Sequence, residues 1–405
     1  MSPTLFLTLF AALYALHLVV ETVLDVLNLQ HIAKHPGVPL YIADMVTEET
    51  YKRSVAYTIA KTKTGVVRRA FSAVFTWALI LSGAFGAIDL WLGSRLAYPL
   101  AIGMMLYVVQ IPFALYNQFW LEQRFGFNRS SVATFVLDQV KGLALALVFG
   151  IPLLLLIYWF MDTAGTSWWI FAFLAWMGFQ LLTAAIFPVF LAPLFYKFTL
   201  LHDSSLRDRI MALAQKIQFK MADVFSIDGS RRSAHSNAFF AGFGKTRRVV
   251  LFDTLMLSLS EDEIIAVIAH EMGHDKKRHI QRQLILSTLG SLFAFYVLSL
   301  AIQWPTLYDA FSAGVAKNYV GLVLFALFAG VVTFPLQPLF QLMSRRYEYE
   351  ADRFSIETTG DKESMQGALK KLAKDNLSNL TPHPWYSFFH YSHPTLKERL
   401  DAIAK

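Results

Sequence analysis

The chain has 405 residues, of which 55% are hydrophobic and only 16% charged, with a mean hydropathy of +0.44. An ordinary soluble domain is about 45–50% apolar and about 25% charged, so the composition points to the membrane. The net charge is +7 and there is no cysteine, which excludes disulfides, iron–sulfur clusters and thiolate zinc sites and leaves any transition metal to His, Asp or Glu.

A membrane-crossing helix needs about 20 mostly apolar residues. Seven stretches meet that need, near 5–27, 70–92, 97–119, 142–161, 168–193, 283–304 and 318–342. No Lys or Arg precedes the first, and Glu21 and Asp25 lie within it, so it reads as a retained span rather than a cleaved signal. The second and third are joined by a short link around Gly93–Arg95 and should form a tight hairpin. Lys and Arg gather in alternate connections: 28–69, 194–282, and the tail that opens with Arg345 and Arg346. Basic loops stay in the cytoplasm, so the N-terminus is expected outside or in a lumen and the two long polar segments on the cytoplasmic side. The chain thus divides into 1–193 (about five spans), 194–282 (polar), 283–342 (two spans) and 343–405 (polar). Because the positive charge follows this alternation and no nucleic-acid motif occurs, a nucleic-acid partner is not expected.

Within the first polar segment, 204–219 has helical periodicity and Arg247–Phe252 reads as a strand. Next comes SLSEDEIIAVIAHEMGH. Ser260 and Glu263 form a capping box, so a helix should start at Ser260, with Glu261, Asp262 and Glu263 at its positive end. His270 and His274 then share one helical face. Two such imidazoles can hold zinc at about 2.0–2.1 Å. Zinc lowers the pKa of water towards 7, and Glu271 is placed to take that proton and pass it to a leaving amine. Gly273 weakens the helix by about 1 kcal/mol against Ala, which implies close packing there. A third ligand is expected from SRRYEYEADRFS, Ser344–Ser355. On a helix Glu348 and Asp352 share a face while Glu350 points away. Glu348 is therefore the expected third ligand, and Asp352 the carboxylate that accepts the free N–H of a ligating His.

AHEMGHDKKRH, SRRYEYEADRF and SHPTLKERL occur in that order, the first two separated by two spans. With SNAFFAGFGKTRRVVLFDTL (236–255), LEQRFGFNRSS (121–131) and IFPVFLAPLFYKF (186–198), they resemble the CAAX prenyl protease 1 family of integral-membrane zinc metalloproteases, over essentially the whole chain. The resemblance implies a mainly α polytopic protein: seven helices around a water-filled chamber, capped by a cytoplasmic gluzincin-like protease domain with a small β-sheet. It implies peptide hydrolysis with one Zn2+ per chain on His270, His274 and Glu348, and Glu271 as base and acid. Substrates would be peptides or proteins, prenylated at a C-a-a-X terminus in eukaryotes. The membrane would be the bacterial inner membrane or the endoplasmic reticulum.

By the same likeness Asn237 binds substrate backbone, and the strand Ala238–Gly242, including Phe239, aligns the peptide by β-addition. His393 precedes Pro394, expected at the first position of a helix, and would donate to an oxyanion there. Arg399 would support His393 or bind a substrate carboxylate. His279 follows the motif in a basic run, and its role stays open between a solvated patch and a place behind the metal or at substrate. His235, His383 and His390 read as loop histidines, while Glu122 and Asn128 would brace the chamber floor or the site. His17, Glu21, Asp25, Gln110, Asn117 and Gln180, in or near spans, should face a cavity, which suits a chamber and a transporter equally.

Two other functions fit parts of this pattern. A general quality-control protease of membrane proteins would use every catalytic residue named. A transporter or scaffold with a structural metal would have no reason to carry a base at the second position of the motif. The partners expected are a peptide or protein substrate and the lipid bilayer; nothing in the sequence sets an oligomeric state.

Overall fold

A computed structural model describes residues 1–201, 205–242 and 247–405. Among the described residues seven helices are long and apolar enough to cross a membrane: Pro3–Lys34, Glu48–Leu81, Ala97–Glu122, Val132–Thr163, Gly165–Leu194, His279–Ala301 and Asn318–Thr359. Their number is the expected one, but the second differs from the expected 70–92. The helix begins at Glu48, ends at Leu81, and a separate short helix, Ala84–Leu92, follows. The break is Gly83, whose left-handed backbone (φ +69°) no helix interior tolerates. The longer helix carries the basic stretch 61–69, of which Lys61, Lys63 and Arg68 are exposed and Arg69 is partly buried. There Arg69 pairs with Asp25, and lies 3.5 Å from Glu21, both on the first span.

The alternate connections do meet at one end. Arg95 pairs with Asp162 at 2.5 Å, Lys317 with Asp89 at 2.7 Å, and Thr306 donates to the Met1 carbonyl. An aromatic core built on Phe6, Phe10, Tyr98, Tyr308 and Phe311 seals that end. Elsewhere the spans do not pack into a solid bundle: in six of them only 11% of the most apolar window is buried by the rest of the chain. A cavity of about 770 Å3 takes its lining from both halves, Asp25 and Arg69 from the spans and His393 and Arg399 from the C-terminal segment. Asp25 and its partner Arg69 thus face a hollow, as burial of such charges in lipid would be costly.

The polar segments fold together. Strands β1 (Phe198–Leu200), β2 (Asp223–Ile227), β3 (Ala238–Ala241) and β4 (Arg248–Phe252) form one sheet in the order β1-β2-β4-β3, with β2 and β4 parallel and the other pairs antiparallel. Val249, Val250 and Leu251 are fully buried at its centre. The helix expected over 204–219 spans Ser205–Lys216, because Gln218 turns left-handed (φ +53°) and the Phe219 amide closes back on the Ala214 carbonyl. One face of that helix, Leu206, Ile210 and Leu213, joins the sheet's core with Leu255, Ile264, Ile268 and Met272.

The motif helix Glu261–Lys276 starts on the expected capping box, Ser260 with Glu263. It lies against the helix Gln337–Thr359. Small residues set that distance. A Cβ on Gly273 would sit 3.1 Å from Phe354 and 3.2 Å from the Ala351 backbone, and Ala266, Ala269 and Ala351 are fully buried. Ser355 ties the pair by donating to the Ala266 carbonyl at 2.6 Å. The last helix is Leu396–Ala404, capped by Thr395 with Glu398 in a second capping box. This corrects the expectation that Pro394 opens the helix: the hydroxyl and the glutamate three residues on satisfy the first amides, which a proline cannot do.

Candidate metal centre

The motif helix offers His270 and His274 one turn apart, and the facing helix offers Glu348. Their donor atoms all lie within 4.8 Å of one another. The two imidazole Nε2 atoms are 3.3 Å apart; Glu348 Oε1 is 3.3 Å from His274 Nε2 and Oε2 is 3.4 Å from His270 Nε2. His270 and Glu348 are buried. Glu348 Oε2 has no hydrogen-bond partner among the described residues. An unpartnered buried carboxylate oxygen is costly unless something else fills its place. Two imidazole nitrogens and a carboxylate converging on one point fit a four-coordinate zinc ion with one position open.

Behind the cluster the support is direct. His270 Nδ1 lies 2.7 Å from Asp352 Oδ1, and Arg399 Nε donates to Asp352 Oδ2 at 2.8 Å. Burial by itself pushes the His270 imidazole down; the Asp352 and Glu348 carboxylates prevail and hold it up to about 9. Burial likewise pushes Arg399 down, and Asp352 more than restores it. Arg399 Nη1 is also 3.6 Å from Glu348 Oε2. Its guanidinium is thus engaged by carboxylates of the chain itself. Burial raises the Glu271 carboxyl, with His270 and His274 pulling it the other way.

His393 Nε2 stands 3.4 Å from Glu348 Oε1, on the exposed side of the cluster, and Ser392 Oγ is 2.9 Å from its Nδ1. Partial desolvation beside the cluster lowers the His393 imidazole, with the Glu348 carboxylate pulling it the other way. A Ser392 hydroxyl donating to Nδ1 leaves the proton on Nε2, facing the cluster.

β3 is an edge strand beside the motif helix. The Phe252 amide donates to the Asn237 carbonyl at 3.1 Å, so by the antiparallel alternation Phe239 also faces β4, while the backbone groups of Ala238 and Phe240 face the free edge. Asn237 is exposed and its Oδ1 accepts from the Ala238 amide at 2.8 Å. The expected strand Ala238–Gly242 ends at Ala241, where the backbone reverses sign at Gly242 (φ +92°).

Several residues outside the expected site prove to be joints. Glu122 accepts from Tyr57 Oη at 2.7 Å and faces His235 Nε2 at 3.4 Å; His235 stacks on Phe127 and reaches Asn376 Oδ1 at 2.9 Å. His235 thus fastens the sheet segment to a span and to the C-terminal segment. Asn128 pairs with Ser233 in an isolated bridge. His383 caps the helix Pro384–His390. Only the tertiary fold joins His235 to Glu122 and Asn376, 113 and 141 positions away, and Glu122 to Tyr57, 65 positions away.

Two family models match the chain: "CAAX prenyl protease N-terminal, five membrane helices" over residues 28–197, and "Peptidase family M48" over residues 201–405. A CAAX prenyl protease 1 homolog from Arabidopsis thaliana is 34% identical over 403 residues, covering 95% of this chain and 94% of that protein. CAAX prenyl protease 1 of Saccharomyces cerevisiae is 35% identical, covering 90% and 88%. The crystal structure of S. mikatae Ste24p superposes with a TM-score of 0.91 at 33% identity, over 98% of this chain and 99% of that one.

Proposed function

We propose a function from one premise: the chain belongs to the CAAX prenyl protease branch of peptidase family M48. It is accordingly a multi-pass membrane metallopeptidase. On our reading the metal is zinc, one ion per chain, held by His270, His274 and Glu348. The observation that carries this is the convergence of two imidazole Nε2 atoms on a buried carboxylate whose Oε2 has no hydrogen-bond partner among the described residues.

Zinc bound there supplies Lewis acidity and brings the pKa of water to about 7. Glu271 takes the proton of the attacking water and returns it to the leaving amine. His393, with Nε2–H facing the cluster, donates to the oxyanion, a contribution of about 3 kcal/mol per donor in proteases. Asp352 holds the His270 ring, and Arg399 holds Asp352; Arg399 is assigned to that clamp in place of substrate binding. The outward backbone groups of Ala238 and Phe240, flanked by Asn237 and Phe239, receive the peptide as an added strand.

The division of labour follows the chain: 1–193 and 283–342 form the membrane region, and 194–282 with 343–405 build the peptidase. The alternation of basic loops supports a cytoplasmic site and an N-terminus outside or lumenal. The substrate class we assign is a protein or peptide with a prenylated C-a-a-X terminus, the class for which relatives are named. Detergent-purified protein should cleave a farnesylated C-a-a-X peptide and leave its unprenylated twin largely uncut. Equal cleavage of both would replace this reading with that of a general membrane-protein protease.

A further inference from the structure

His270 and His274 are supported differently. His270 has a carboxylate directly behind its ring. His274 has another histidine: its Nδ1 is 3.1 Å from Nδ1 of His279, whose own Nε2 is 3.0 Å from Glu350 Oε2. His279 is 1% exposed and stacks on Tyr347 with ring centres 4.2 Å apart and planes 11° from parallel. Arg278, in the left-handed region (φ +60°), turns the chain so that the first residue of the next helix faces back to the motif. Glu350 is held from outside by Arg346 Nε at 3.1 Å, with Arg282 at 3.8 Å.

The proton positions follow from one requirement. His274 presents Nε2 to the cluster, so as a neutral ligand it must carry its proton on Nδ1. Among the described residues, that N–H donates to the lone pair on His279 Nδ1. His279 then carries its proton on Nε2 and donates it to Glu350. Each of the three groups has one compatible state, and the opposite tautomer of His279 would set two N–H groups against each other.

We propose that His279 is a positioning residue for the metal site: it accepts the Nδ1 proton of His274 and, anchored by Glu350, fixes the tautomer and ring orientation that presents Nε2 to zinc. Glu350, on the other side of its helix from Glu348, acts through His279 alone. The inference rests on the assignment of zinc to His270, His274 and Glu348.

The test is zinc affinity, measured by chelator competition on metal-stripped full-length protein in detergent, together with the melting temperature of the zinc-free form. His279→Phe keeps the stack on Tyr347 and removes the acceptor. His279→Gln offers an acceptor to His274 and a donor to Glu350. Groups behind a ligating histidine typically change metal affinity 10–100-fold. His279→Phe should weaken zinc binding by about that factor with the zinc-free melting temperature unchanged, and His279→Gln should recover most of the loss. Zinc held by His279→Phe as tightly as by wild type, or equal losses in both variants, overturns the relay. Wild type that binds no zinc, or His274→Ala that binds it unchanged, overturns the metal assignment and the relay with it.

Discussion

Asp352 Oδ1 lies 2.7 Å from Nδ1 of His270, although 82 positions of sequence and two membrane helices' worth of chain separate the carboxylate from the imidazole. That contact turns the free nitrogen of the ring away from the cluster and leaves Nε2 to face it. Replacing Asp352 with Asn should weaken zinc binding about 10–100-fold while leaving the fold intact. Competition with a chelator measures it, and circular dichroism checks the fold.

Glu271 is a base in this account, not a ligand. Glu271→Gln should bind zinc at wild-type stoichiometry and lose about 10²–10⁴ in kcat, the range for removing a general acid–base group. Metal analysis beside turnover separates the two quantities. Loss of zinc with loss of turnover would place Glu271 among the ligands.

The same carboxyl sets the acid side of the pH profile. It acts only when ionised, and burial raises it above its ordinary value of 4.5, against the pull of His270 and His274. Activity is therefore lost as pH falls through the Glu271 value, and the residual kcat/KM of Glu271→Gln, which cannot ionise there, should lack that acid limb. An acid limb unchanged in Glu271→Gln contradicts the assignment.

Gly273 sets the distance between the two helices that carry the cluster. With 3.1–3.2 Å already separating an ideal Cβ from Phe354 and Ala351, Gly273→Val must push the helices apart. The cost should be about 1–3 kcal/mol, as for overpacking elsewhere, with zinc occupancy falling in parallel. Thermal unfolding and metal content on the same preparation give both numbers.

The free edge of β3 predicts a backbone preference. N-methylating the substrate amide that faces Ala238 or Phe240 should raise KM about tenfold, the worth of one lost hydrogen bond of about 1.4 kcal/mol. Methylating an amide that points away from the edge should not. Peptides differing at single N-methyl groups make the comparison.

What could be read from the sequence was local. Ser260 with Glu263, the i,i+4 pair His270 and His274, and the i,i+4 pair Glu348 and Asp352 are short-range patterns fixed by helical periodicity, and each appears as a helical feature in the structure. The break at Gly83 escaped because apolar residues continue on both sides of it, so composition alone carries no boundary. The cap at Thr395 was visible in the Thr-x-x-Glu pattern, but the adjacent Pro394 gave the stronger local signal and pointed two residues early. His279 and Glu350 are 71 positions apart, and no periodicity links them. Arg399 illustrates the same limit: its charge was evident, whereas its engagement by Asp352, 47 positions away, depends on how the last helix folds back.

The most direct measurement is cleavage of a farnesylated C-a-a-X peptide by the purified protein before chelation, after chelation, and after stoichiometric zinc is returned. Wild type should lose activity on chelation and regain it with about one equivalent of zinc, while Glu348→Gln should regain none. Activity that survives complete removal of zinc, or that Glu348→Gln recovers in full, would contradict a zinc peptidase built on His270, His274 and Glu348.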